Sequence, residues 1–189
     1  MVDAAKFFAG YRQAFGALSQ DQVDGLNFLL TSFNADPTWG DVRNISYSLA
    51  TILLETAHTF QPIHELGSDQ YLSKYWTNPR LRVMLGNTEP ADAQRFKGRG
   101  YVQITGRANY AKFGLVNDPE SALQPATAFQ VMTKGMFEGI FTGRKLGDFI
   151  NELETDYVSA RRVINGQDRA SQIAHDAVMF EQILTEPQV

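Results

Sequence analysis

Asp41-Val42-Arg43-Asn44-Ile45-Ser46-Tyr47-Ser48-Leu49-Ala50-Thr51-Ile52-Leu53-Leu54-Glu55 is the stretch on which the reading of this chain turns. Apolar side chains at Val42, Ile45, Leu49, Ile52 and Leu53 repeat at helical spacing, and Asp41 is a residue type that caps helix starts. The spacing predicts a helix from Asp41 to about His58, ended at the latest by Pro62. Its apolar-leaning part, 45–54, holds two serines and a threonine and falls far short of the ~20 residues that span a bilayer. Near the C-terminal end Glu55 stands among Leu53, Leu54, Thr56 and Ala57. An apolar setting at the negative end of a helix dipole disfavours a charged carboxylate, and a carboxyl that holds its proton is what a general acid needs. The other reading of Glu55 is an ordinary acid on the solvated face of an amphipathic helix.

Upstream, Phe7, Phe8, Tyr11 and Phe15 predict a first helix. Ser19-Gln20-Asp21-Gln22 has the form of a capping box ahead of a second, whose stripe is Val23, Leu26, Leu29, Leu30 and Phe33. The segment 34–40, with Pro37, breaks it. Downstream, periodicity fades over 61–100, which holds Gly67, Pro79, Gly86, Pro90, Gly98 and Gly100 together with the aromatic cluster Tyr71, Tyr75 and Trp76. An irregular lobe with short strands is expected there. Tyr101-Val102-Gln103-Ile104-Thr105 alternates and predicts a half-buried strand, Val102 and Ile104 inward, Tyr101, Gln103 and Thr105 on the other face. A short helix carries Asn109, Tyr110 and Phe113. Longer helices follow over 124–141, 155–164 and from Asp168 until Pro187, with Asn165-Gly166 as a C-cap. The expected fold class is α+β, predominantly α-helical.

The chain has 189 residues, the size of one domain with its own core. Seventeen Lys and Arg against 21 Asp and Glu leave a net charge of −4, which lacks the basic footprint of a non-specific nucleic-acid binder. The basic spots Arg80/Arg82, Arg95/Lys97/Arg99 and Arg161/Arg162 are small; the last two are possible neighbours of the acids. There is no cysteine, so disulfides, thiolate metal sites and cysteine nucleophiles are excluded. Glu55-Thr56-Ala57-His58 has the Glu-x-x-His form of di-iron bundles, but no second copy exists, and His58, His64 and His175 are the only histidines. No metal and no cofactor are expected. No basic region followed by an apolar run opens the chain, so a Sec-type signal is not expected.

Two further segments carry chemistry. Glu65 follows Pro62 in a loop, where it reads either as an ionised base or as a surface acid. In Lys97-Gly98-Arg99-Gly100-Tyr101-Val102-Gln103-Ile104-Thr105, two glycines around an arginine permit close approach of a ligand. Amides and hydroxyls beside aromatic rings suit a sugar, and Asn109 and Asn165 extend that set. A hairpin with a solvated outer face is the alternative.

Leu54-Glu55-Thr56, Gln61-Pro62-Ile63-His64-Glu65, Gly98-Arg99-Gly100-Tyr101-Val102-Gln103-Ile104-Thr105, Asn109-Tyr110 and Ile164-Asn165-Gly166 together resemble the signature of family 19 glycoside hydrolases. The segment Leu18-Ser19-Gln20-Asp21-Gln22-Val23-Asp24-Gly25-Leu26 is similar to the bacteriophage endolysin branch. The resemblance runs from about Lys6 to Ile183. It implies a lysozyme-like, two-lobed fold with a small β-hairpin lobe, a single catalytic domain over 1–189 and no separate wall-binding domain. It implies an inverting muramidase-like hydrolase of the β-1,4 bonds of peptidoglycan glycan strands. In that reading Glu55 is the general acid, Glu65 the general base and Thr105 a holder of the attacking water. Arg99, Tyr101, Gln103, Asn109, Tyr110 and Asn165 bind substrate. Inversion predicts carboxyls about 6.5–9.5 Å apart rather than about 5–5.5 Å. The chain departs from the pattern at Leu54, where the family usually has His, and at Leu66, where some relatives have a hydroxyl for which Ser68 is a candidate substitute. A chitinase of the same mechanism and a non-catalytic glycan-binding virion module are the alternatives. The implied partners are peptidoglycan and a holin that opens the route from the host cytoplasm to the wall. The implied protein is a monomer with no nucleic-acid partner and no stable membrane insertion.

Overall fold

The computed structural model describes residues 2–185, and Pro187, the expected stop of the last helix, lies outside them. The chain forms two compact units, Met1–Gln61 with Thr133–Val189, and Pro62–Met132. In chain order the first unit opens with α1 (Ala4–Phe15), α2 (Gln20–Ala35) and α3 (Val42–Glu55). The second holds β1 (Ile63–His64), α4 (Asp69–Leu72), α5 (Lys74–Thr77), α6 (Pro79–Leu85), α7 (Asp92–Arg95), β2 (Arg99–Gly100) and α8 (Arg107–Lys112). Helix α9 (Pro125–Glu138) begins in the second unit and ends in the first, where α10 (Tyr157–Ala160) and α11 (Ala170–Thr185) follow. The class is predominantly helical, with one two-stranded antiparallel sheet.

In the first unit α3 is buried on nearly every side, not along one stripe. Ile45, Leu49, Ile52 and Leu53 are buried, and so are Ser46, Ser48 and Thr51. The polar side chains are accommodated locally: Ser46 donates back to the Val42 carbonyl at 2.8 Å, and Ser48 donates to Met136 Sδ at 3.2 Å. Helix α11 packs along α3. Phe180 from α11 stacks on Phe7 of α1 at 6.2 Å and on Phe15 at 4.8 Å. The capping box at Ser19 and Gln22 forms as expected.

Helix α3 stops at Glu55, short of the predicted His58. Thr56 turns its hydroxyl back to the Ile52 carbonyl and accepts from Phe60 N–H at 3.1 Å. Ala57, His58 and Phe60 then adopt left-handed φ values of 49°, 66° and 55°, a conformation costly for residues with a Cβ. Contacts from α2 hold it: Gln22 donates to the His58 carbonyl and Gln61 to that of Asp21. Gly25 lets the chains touch, since a Cβ there would lie 2.4 Å from the Phe60 carbonyl oxygen.

The segment 61–100 is not the largely irregular lobe expected; it contains α4 to α7. Those helices have four to seven residues, too short to display a 3.6-residue repeat. Strand β1 pairs with β2 in register Ile63 to Gly100 and His64 to Arg99. The predicted strand 101–105 is instead a tight turn. Arg99 and Ile104 exchange both backbone hydrogen bonds, Gln103 takes φ +52°, and alternation is lost. Tyr101 is consequently buried with Val102 and Ile104 rather than facing outward. Residues 155–164 form the short α10 followed by a 3-10 turn, Arg161–Val163. That turn is capped by Ile164, so Asn165 and Gly166 lie past it and are exposed.

Candidate functional site

Glu55 is the last residue of α3, and Tyr47 and Thr51 precede it at four-residue intervals on the same helical face. Tyr47 and Thr51 are both fully buried. Burial is the main cause that pushes the Tyr47 phenol up to about 12, with the neighbouring Thr51 hydroxyl and Arg161 charge opposing it. The Glu55 carboxylate, 18% exposed, forms an ion pair with Arg161 at 2.7 Å. Arg161 is itself 4% exposed and donates through Nε to the Asp168 carbonyl at 3.1 Å. The expectation of a carboxyl alone in apolar surroundings is thereby corrected: a buried guanidinium from the 3-10 turn faces it. A buried arginine needs a partner for its charge, and Glu55 supplies it. Asn165, four residues beyond Arg161, is exposed.

In the second unit Glu65 leaves β1 with its N–H donating to the Gly98 carbonyl at 2.7 Å. Its side chain is 16% exposed. Tyr75 O–H donates to Oε1 at 2.6 Å and Gly98 N–H donates to Oε2 at 3.0 Å. Lys74 Nζ is 4.0 Å from Oε1 and lies over the Tyr71 ring, 3.4 Å from its centroid. Gly98 has to be small: a Cβ would stand 2.9 Å from Gln103 Oε1 and 3.0 Å from Glu65 Cβ. Two fixed donors and a nearby ammonium make this a held carboxylate, with lone pairs left for a further hydrogen bond.

The remaining predicted residues of the second unit sort by burial. Gln103, Thr105 and Asn109 are half-buried. Gln103 Nε2 donates to the Ile63 and Gly100 carbonyls, Thr105 donates to the Gln103 carbonyl, and Asn109 donates to that of Thr105. These bonds tie the turn to the sheet and to α8. Arg99, Tyr101 and Tyr110 are buried. Arg99 Nη1 donates to the Arg95 and Lys97 carbonyls and to Tyr110 Oη, and Nη2 pairs with Glu120. Tyr110 O–H donates to the Lys97 carbonyl at 2.7 Å. All three side chains are thus enclosed within the second unit. Burial raises the phenols of both tyrosines, Tyr110 to about 12. Leu66 is exposed, and Ser68 caps α4 by accepting from Tyr71 N–H.

The sequence placed Arg161 in a basic spot neighbouring the acids, and its ion pair with Glu55 bears that out, whereas Tyr75 stood out only as one of an aromatic cluster. The position of Tyr75 ten residues after Glu65 carries no signal of their bond. Among the described residues no group of three or more His, Asp or Glu is placed to hold a metal ion, and no helix is long and apolar enough to cross a membrane. A cavity of about 400 Å³ in the first unit, lined by Phe33, Trp39, Val42 and Leu184 among others, includes none of the predicted site residues. No family model, no curated protein and no solved structure matches this chain.

Proposed function

We propose that this protein is an endolysin-type glycoside hydrolase that cuts β-1,4 bonds in the glycan strands of peptidoglycan by an inverting general acid/base mechanism on a lysozyme-like fold. The observation that carries the proposal is that the two expected acids are differently supported, each within its own unit. Glu55 closes a buried helix against Arg161, and Glu65 is held by Tyr75 O–H and Gly98 N–H. The mainly helical chain, with a small antiparallel sheet beside the second carboxylate, is in keeping with that fold.

In this reading Glu55 delivers a proton to the glycosidic oxygen. The leaving sugar departs as an alcohol, and Arg161 stabilises the carboxylate left behind. Glu65 takes a proton from a water that attacks the anomeric carbon from the opposite face. Thr105 helps to hold that water, while Gln103, Asn109 and Asn165 bind N-acetylated sugars. Arg99, Tyr101 and Tyr110 support the turn that carries Gln103 and Thr105 from within the second unit. The access route through a holin belongs to the same proposal.

The test is digestion of purified peptidoglycan. Mass spectrometry of the new reducing ends identifies the bond cut, and proton NMR of the first product assigns its anomer. Release of α-anomers from β-linked strands is expected. A β-product would exclude inversion, and absence of any new reducing end would leave a binding module.

A further inference from the structure

We infer that Tyr75 is the positioning residue of the base: its phenol, carried on backbone that Asn87 braces, orients the Glu65 carboxylate for water activation. The inference rests on the hydrolase reading above. Its geometry is a relay of short contacts inside the second unit. The Tyr75 hydroxyl donates to Glu65 Oε1 at 2.6 Å while Gly98 N–H donates to Oε2 at 3.0 Å. Both oxygens are gripped, from two separate segments, so rotation of the carboxylate about its last bond is blocked. A carboxylate has about four lone-pair sites, and this grip uses two, so a water can still be bound along a fixed direction.

Tyr75 is placed with matching care. Its own carbonyl accepts from Asn87 Nδ2 at 3.1 Å, and Asn87 is buried. The Asn87 Oδ1 accepts from Arg107 N–H at 3.0 Å, and Arg107 is bound by the buried Asp92. A four-residue helix such as α5 has little stiffness of its own; the Asn87 brace supplies it. Burial first, and then the bond to the Glu65 carboxylate, hold the phenol far above its ordinary range, with Tyr71 adding to the effect. The hydroxyl thus stays a donor across the working pH range. Lys74, 4.0 Å from the same oxygen, adds charge but no fixed direction, since an ammonium is a rotating point donor. Tyr110, which feels the Glu65 charge, spends its hydroxyl on the Lys97 carbonyl.

The experiment uses the full chain and soluble glycan oligomers prepared from purified peptidoglycan. Tyr75→Phe keeps the ring and deletes the donor. We expect kcat to fall on the order of 10- to 100-fold with KM changed less than about twofold, the mark of an interaction that acts on turnover rather than on binding. The double variant Tyr75→Phe/Glu65→Gln should be no slower than Glu65→Gln alone, because the phenol then has no base to orient. Unchanged kcat in Tyr75→Phe while Glu65→Gln is inactive would overturn the inference and spare the hydrolase reading. Losses that multiply in the double variant would likewise overturn it, since a general packing role persists without the base. Wild-type turnover in Glu65→Gln would overturn the underlying reading itself.

Discussion

Asp92 gives the most quantitative prediction, because it anchors the brace behind the second carboxylate. Its side chain is fully buried. It accepts from Thr88 N–H at 2.7 Å, Thr88 O–H at 3.2 Å, and Arg107 Nε and Nη2 at 2.8 and 2.6 Å. Burial alone would raise its pKa, but the Arg107 and Thr88 donors together outweigh it and hold the carboxyl at about 2, against an ordinary 3.8. At about 1.4 kcal/mol per pH unit, that difference is worth about 2 kcal/mol of folding stability. A carboxyl whose folded value is the lower one stabilises the fold above its unfolded value. The contribution is therefore complete at neutral pH and disappears as pH falls from about 3.8 to about 2. Asp92→Asn removes the charge but keeps the shape. Arg107 then remains charged with only Glu89, 3.4 Å away, beside it. The expected cost near neutral pH is about 2–3 kcal/mol, below the about 3–5 kcal/mol for breaking a fully buried pair because Arg107 is partly exposed. Urea unfolding of both proteins as a function of pH measures it. The wild-type advantage should shrink through the acid range until the curves approach each other. Equal stabilities at neutral pH, or parallel pH dependences through the acid range, would refute the electrostatic argument.

Glu55→Gln should lower release of reducing ends by about 10²–10⁴-fold, as loss of positioned acid catalysis does. It should also lower stability by about 1–3 kcal/mol, because Arg161 is left in its buried place without a counter-charge; turnover and chemical unfolding on the same preparation separate the two effects. Gly98→Ala places a methyl against Gln103 and Glu65. Turnover should drop at least about tenfold, a cost that misplacement of a catalytic group readily reaches, while far-ultraviolet circular dichroism stays that of the wild type.

Local chemistry alone determined a good part of this protein. Ser19 and Gln22 form their capping box, Asp41 caps α3, and the apolar content of 42–55 makes a buried helix that delivers Glu55 to its end. Each of these depends on residues within a turn or two of one another, so adjacent letters suffice. Tertiary structure decided the rest. Tyr-Val-Gln-Ile-Thr alternates as a strand would, but Arg99 closes onto Ile104 and the Gln103 amide reaches Ile63, so the segment turns and Tyr101 is buried. The partner of Glu55 comes from Arg161, near the other end of the chain, and that of Glu65 from a helix too short to leave a periodic trace. Which charge meets which carboxylate is set by the folded path of the backbone between them, a property that composition and spacing do not encode.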